Sequence, residues 1–313
     1  MAKVLGASKR IKMQEPVLIM GSGAMACLFA TYLAASQHPV TLMSEWEEGV
    51  AALNQFGVRR IREGKDAAVF QVQAFTQPDN RRHTTALVLV KSWQTRQAAK
   101  MLSECLDPHA ITLTLQNGLG NLEVLSAVLG SRQIICGSTT IGATLVAPGV
   151  VREGGVGEIY LPDHPIGHQF AALFSGSGLP IHIQADIQSI IWGKLVVNSA
   201  INPLTALLDV PNGFLLENKH ALRLVHSLIG ESYQVANAGK ISLPYSNPLD
   251  YVEQVIQKTA QNSSSMRQDL KRGAPTEINA INGQLVLHGK KWGVETPLNQ
   301  MMVHLIKTRL AQV

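Results

Sequence analysis

At 313 residues the chain is long for a single hydrophobic core, and two domains are the default expectation. Hydrophobic residues make up 46% and charged residues 16%, so burial offsets chain entropy and widespread disorder is excluded. The formal charge of +5, to which Lys3, Lys9, Arg10 and Lys12 contribute, comes without a basic stripe interleaved with aromatics; an anionic small molecule is the expected partner and nucleic acid is not.

Cys27, Cys105 and Cys136 are few, odd in number and without metal-ligand spacing, and they read as buried thiols in a reducing compartment. The histidines show no such spacing either, so no metal is expected. No apolar run followed by a small-residue cleavage site opens the chain, and no uninterrupted apolar stretch reaches membrane length. The expectation is a cytoplasmic chain with no membrane partner.

Pro16-Val17-Leu18-Ile19-Met20 is a short apolar run ending in Gly21-Ser22-Gly23-Ala24-Met25-Ala26, after which residues 27–34 carry helical periodicity. Strand, glycine turn and helix, in that order, are the context in which G-x-G-x-x-A signals dinucleotide binding. Gly21 permits the tight turn, Gly23 lets the backbone approach a pyrophosphate, and Ala26 keeps the helix close to the strand. The helix amino terminus supplies N–H donors to the phosphates. Residues 39–43 read as a second strand, ending at Ser44-Glu45-Trp46. An acid about 20 positions beyond the glycines accepts hydrogen bonds from the ribose of NAD, whereas a nearby Arg favours the 2′-phosphate of NADP. Glu45 holds that place with no Arg beside it; the alternative is that it merely opens a surface helix with Glu47 and Glu48. Arg59 and Arg60 lie further on, within reach of a phosphate from a neighbouring strand, so the choice of coenzyme stays open.

Residues 70–75 alternate like a strand, and residues 86–90 form a continuous apolar run of the buried parallel type ending in Lys91-Ser92-Trp93-Gln94. A helix over about 95–106 and a strand over 111–115 follow, the latter ending in Gln116-Asn117-Gly118-Leu119-Gly120-Asn121. The carboxyl ends of such strands face the ligand crevice, which places Lys91 and Asn117 beside the glycine turn; Asn117-Gly118 is also a common turn dipeptide. Short β-rich pieces over 134–161 suggest antiparallel additions to the sheet. A helix around 168–174 and a strand over 181–183 complete a first domain, 1–185, and residues 186–313 read as helices.

The stretch over 192–207 dominates the second domain. At helical spacing Lys194, Asn198, Asn202 and Thr205 fall within a wedge roughly 80° wide, and apolar residues cover the rest of the circumference. A helix apolar nearly all round is buried, so these groups need partners, and Lys194 is the first candidate for chemistry. Ser265 and Asp269 share one face of a later helix. Thr276 reads as a cap with Glu277 in the first helical turn, where a carboxylate is favoured with or without a task.

Six segments in one order, namely Gly21-x-Gly23-Ala24-Met25-Ala26, Lys91-Ser92-Trp93-Gln94, Gln116-Asn117-Gly118-Leu119-Gly120, Trp192-Gly193-Lys194-Leu195 with Asn198 and Asn202-Pro203-Leu204-Thr205-Ala206, Ser264-Ser265-Met266 with Asp269, and Thr276-Glu277-Ile278-Asn279 with Ile281-Asn282-Gly283, resemble the ketopantoate reductase (2-dehydropantoate 2-reductase) family. The resemblance spans nearly the whole chain. It implies an α/β fold with an amino-terminal Rossmann-type dinucleotide-binding domain plus an all-α carboxyl-terminal domain, 6-phosphogluconate dehydrogenase-like. It also implies NADPH-dependent reduction of 2-dehydropantoate to D-pantoate in pantothenate (coenzyme A) synthesis.

By resemblance, Lys194 is the general acid at the ketone oxygen and Glu277 assists it and holds the substrate hydroxyl. Asn117 would lie near the nicotinamide ribose and the substrate, Asn198, Asn202 and Asn212 would orient substrate polar groups, Ser265 would bind the carboxylate, and Lys91 would lie along the coenzyme. Gly21, Ser22, Gly23, Ala24, Met25, Ala26 and Glu45 complete the coenzyme set. The chemistry is coherent: hydride delivery to a 2-oxo acid builds charge on oxygen, which a positioned ammonium stabilises and protonates. Burial lowers the pKa of such a lysine and a carboxylate raises it again. A site shared between domains predicts a cleft at their junction that closes on binding. Two departures stand out: Ser44-Glu45 replaces the family's common basic residue, which brings in NADH, and Ala26 replaces the third glycine. The alternatives are a related reductase of another small-molecule 2-oxo acid and a non-catalytic dinucleotide sensor. A homodimer is left open.

Overall fold

The computed structural model describes residues 15–130, 133–155 and 157–311; Lys3, Lys9, Arg10 and Lys12 lie outside the described residues. The first half runs β1 (Val17–Met20), α1 (Ala24–Ala35), β2 (Val40–Met43), α2 (Glu47–Phe56), β3 (Val58–Ile61), β4 (Ala68–Phe70), β5 (Gln73–Phe75), β6 (His83–Val88), a 3₁₀ turn (Ser92–Gln94), α3 (Thr95–Cys105), β7 (Leu106–Thr114), α4 (Asn121–Leu129), β8 (Ile134–Cys136), β9 (Ser138–Thr139), β10 (Ala143–Ala147), β11 (Val150–Glu153), β12 (Ile159–Pro162), α5 (Pro165–Leu173) and β13 (Ile181–Gln184). The second half is helical: α6 (Ile187–Leu208), α7 (Phe214–Glu217), α8 (Lys219–Ala238), α9 (Pro248–Lys258), α10 (Ser265–Lys271), α11 (Asn282–Trp292) and α12 (Pro297–Leu310).

The main sheet has the order β5-β2-β1-β6-β7-β8 with every pair parallel. The order reverses between β1 and β6, the switch point at which a Rossmann sheet opens its ligand crevice. Parallel strands need cover on both faces, which is why they read as unbroken apolar runs. Val17 and Ile19 of β1 join the cluster of Phe29 and Leu33 from α1, whereas Leu18 and Met20 join that of Ala98 and Leu102 from α3.

Two expectations are corrected here. The alternating run over 70–75 is not one strand: β4 pairs antiparallel with β3 and β5 parallel with β2, in different sheets, because the chain crosses over at Gln71-Val72 and its inward phase restarts at the buried Ala74. Nor do the pieces over 134–161 extend the main sheet antiparallel. β8 joins it in parallel; β10 and β11 form a hairpin in a second sheet with β3 and β4, and β12 lies between β9 and β13 in a third. Among the described residues of this stretch, only Pro148-Gly149, between β10 and β11, is a hairpin turn; the other breaks reroute the chain.

α6 is the axis of the helical half and packs against α8, α10 and α12. By length and composition it is apolar enough to cross a membrane, but 72% of its apolar window is buried inside the protein. Pro203 sits inside it and has no N–H to give the carbonyl of Ser199 one turn earlier. Asn282 makes up the loss: its Nδ2 donates to Ser199 O at 2.8 Å and to Asn299 Oδ1 at 2.9 Å. Glu231, on α8, accepts from the backbone N–H groups of Leu298 and Asn299 and so closes the start of α12. Pro203 of α6 and Asn282 of a distant segment are thus one structural device.

Candidate active site

At the switch point the main chain makes a cradle. Gly21 has φ +123°, and a Cβ there would press on Val90 Cγ1 and Ala26 Cβ at 3.3 and 3.4 Å. That is why the turn requires glycine and why Ala26 suffices for close helix packing. Gly23 is the N-cap of α1, with open space where its Cβ would be, no side-chain cap and no acid in the first turn. The first helical bond runs from Cys27 N to Gly23 O, so the N–H groups of Ala24, Met25 and Ala26 have no partner within the helix. These features fit a pyrophosphate. Ser22 and Ser44 join the ends of β1 and β2 through their hydroxyls at 2.8 Å. Glu45 precedes α2 and its N-cap Trp46, and its Oε1 accepts from Gln97 Nε2 of α3 at 3.0 Å. Arg60 is buried with its guanidinium over the Tyr32 and Phe70 rings, on β3 of the second sheet.

Across the cleft Lys194 projects from α6. Its Nζ donates to Asn117 Oδ1 and to the carbonyl of Thr139, both at 2.7 Å. Asn117 Nδ2 in turn donates to Glu277 Oε2 at 3.1 Å, and the backbone N–H of Ser92 donates to Glu277 Oε1 at 3.1 Å. Asn117 therefore bridges the lysine and the carboxylate. Burial pushes the Lys194 ammonium down to about 8, with the charge of Glu277 pulling the other way. Lys91, after β6, donates to Asp269 Oδ2 at 2.7 Å, and burial holds that carboxyl above its usual range.

The junction is close. Leu119 N donates to Ala280 O at 2.9 Å, and a Cβ on Gly118, at φ +80°, would overlap that carbonyl. Asn117, Leu119, Ile191, Lys194, Leu195 and Asn198 line the cleft between the halves. Cys136 stands half-buried at its edge, whereas Cys27 and Cys105 are buried.

Of the residues expected at the site, Lys194, Asn117 and Glu277 come together and Asn198 lines the same cleft. Asn202 lies one turn beyond Asn198 along α6, 7% exposed. The side chains of Asn198 and Asn202 have no hydrogen-bond partner among the described residues. Asn212 follows the far end of α6; its Nδ2 donates to Thr259 Oγ1 at 3.0 Å and its buried Oδ1 has no partner. Ser265 is exposed at the start of α10, and its neighbour Ser264 is the cap. Thr205 hydrogen-bonds the Ile201 carbonyl of its own helix. Glu277 is not in the first turn of a helix: residues 277–281 form a turn ahead of α11, closed by Ala280 N on Glu277 O at 3.0 Å, which frees the side chain to reach the first domain. Sequence reasoning gave no part to the Thr139 carbonyl, the Ser92 N–H or Gln97. Backbone groups carry no residue signature, and Gln97 reads as surface.

A Rossmann sheet with a bare glycine cradle at its switch point, faced by a half-buried lysine from a helical half, is the arrangement of a nicotinamide-dependent oxidoreductase. Residues 17–165 match the family model "Ketopantoate reductase PanE/ApbA" and residues 186–310 its "C terminal" companion. The chain is similar to the 2-dehydropantoate 2-reductase of Halobacterium salinarum, 34% identical over 95% of this chain and 98% of that one. Its fold matches a PanE/ApbA family ketopantoate reductase from Ralstonia eutropha with a TM-score of 0.87 and 28% identity, over 95% of this chain and 99% of that one. D-mandelate dehydrogenase, solved with NADH and anilino(oxo)acetate, matches with a TM-score of 0.89 and 26% identity over 95% and 99%. The chain belongs to the ketopantoate reductase family.

Proposed function

We propose that the protein is a 2-dehydropantoate 2-reductase working in the cytoplasm on a small 2-oxo acid, with the halves 1–185 and 186–313 closing on it. The observation that carries the reading is the state of Lys194. An ammonium has three N–H donors; two are held by Asn117 and Thr139, which leaves one for a ketone oxygen. The coenzyme, when bound, supplies the hydride. As charge builds on the ketone oxygen, Lys194 stabilises it and gives up its proton, after which the amine regains one from solvent. With a pKa of about 8 it is charged at neutral pH yet gives up its proton more easily than an exposed lysine. Glu277 keeps Asn117 oriented and faces the substrate hydroxyl. Asn198 and Asn202, with free amides, orient the substrate; Asn212 supplies its unpartnered Oδ1 and Ser265 takes the carboxylate. Lys91 lies along the coenzyme.

For the coenzyme we favour NADH over the family's NADPH, since Glu45, hydrogen-bonded by Gln97, stands soon after β2 where the family commonly has a basic residue. A second reading, reduction of an aromatic 2-oxo acid, draws on the equally close fold of D-mandelate dehydrogenase. Nicotinamide oxidation with 2-dehydropantoate, 2-oxoisovalerate, pyruvate and phenylglyoxylate, each with NADH and NADPH, tests all of this. Preference for 2-dehydropantoate with NADH is expected. Preference for phenylglyoxylate establishes the second reading, and no turnover of any oxo acid removes both.

A further inference from the structure

Asp269 is a buried carboxylate to which neither the fold nor the proposed chemistry gives a task. It is 5% exposed, yet it receives the Lys91 ammonium from the opposite half at 2.7 Å. Both ends of this pair are rigidly mounted. Asp269 rides on α10, whose cap Ser264 lies 2.7 Å from Thr205 Oγ1 on the catalytic helix, and its own carbonyl accepts from Ala274 N at 2.9 Å. Lys91 sits where Gln94 Oε1 accepts its N–H and Gln116 Nε2 donates to the Val90 carbonyl. One residue on, Ser92 N donates to Glu277. The end of β6 therefore offers an ammonium to one buried carboxylate and an N–H to another.

Resting on the reading of Lys194 and Glu277 as the reductase site, we infer that Asp269 is a positioning residue: acting through Lys91, it pins the end of β6 against the helical half so that the Ser92 N–H meets Glu277, and the pair sets one charge of each sign near Glu277, the carboxylate that acts on Lys194. The charged groups facing Asp269 are Lys91, Glu277 and, more weakly, Arg272. Lys194 feels the charge of Glu277, to which Asn117 links it, and Glu277 in turn faces Asp269.

The test uses the sign of the two charges. In Asp269→Asn a negative charge is lost, the Lys194 ammonium is less favoured, and the alkaline limb of kcat/KM should move to lower pH. In Lys91→Met a positive charge is lost and the limb should move to higher pH. Shifts of about half a unit in opposite directions are expected, with near-cancellation in the double variant. kcat/KM should fall about tenfold in either single variant as the Ser92 contact loosens. Limbs that stay put, or move the same way in both variants, overturn the inference and leave a packing role. The pH midpoint of Lys194 acetylation by acetic anhydride, read by peptide mass spectrometry, gives the same sign test without turnover. A chain that reduces no oxo acid thus refutes the reductase reading while this measurement still decides the role of Asp269.

Discussion

The two sides of the cleft are made of different material. On the dinucleotide side the contacts are main chain: the turn at Gly21, the open space at Gly23 and the unpaired N–H groups of α1. On the helical side they are side chains from separate segments, with Lys194 on α6, Asp269 on α10 and Glu277 in the turn before α11, met by Asn117 and Lys91 from the first half. A backbone site is written in contiguous residues, because local φ and close approach dictate where glycine must stand. A side-chain site shows only as polarity without a local reason, since its partners are chosen by packing.

The largest effect should come from the side-chain half. Lys194→Met removes the proposed acid and should lower kcat by about 10²- to 10⁴-fold. The affinity for ADP-ribose, read by calorimetry, should stay put, because the cradle is elsewhere. Near-normal turnover would refute the assignment. In the native enzyme the ammonium is the competent form, so kcat/KM for reduction should be level below a pH of about 8 and fall tenfold per unit above it. A lysine needed as the free base would give the opposite slope.

Asn282→Ala probes whether the halves are independent. It strands the Ser199 carbonyl that Pro203 leaves unbonded, together with Asn299 Oδ1, and should lower stability by about 1–3 kcal/mol in urea unfolding. ADP-ribose affinity under native conditions should be unchanged. If it drops in parallel, the cradle depends on the helical half and the contrast between the two sides fails.

Legibility follows the same division. The strand, glycine turn and helix of β1–α1 could be read directly, as could the polar stripe of Lys194, Asn198 and Asn202, since both depend on periodicity within one element. The crossing at Gln71-Val72 could not, because alternation looks the same whichever sheet receives the strand. Glu277 could be picked out but not placed: an acid after a cap reads as a helix start, and only the turn over 277–281 directs it to Asn117. Asp269 stood in a motif with no task until the structure set Lys91 against it.

The smallest effect tests a side chain of the dinucleotide half. Glu45 and Gln97 are both exposed, so their hydrogen bond is worth at most about 1 kcal/mol, and Gln97→Ala should weaken ADP-ribose binding only severalfold. Glu45→Arg should do more, reversing the preference between ADP-ribose and its 2′-phosphate, because a guanidinium in that place pairs with the phosphate that a carboxylate repels. If instead the native chain binds the 2′-phosphate form more tightly, Glu45 only leads into α2, and a cation from elsewhere, with Arg59 the first to test, reads the phosphate. The dinucleotide half would then depend on distant side chains as the helical half does.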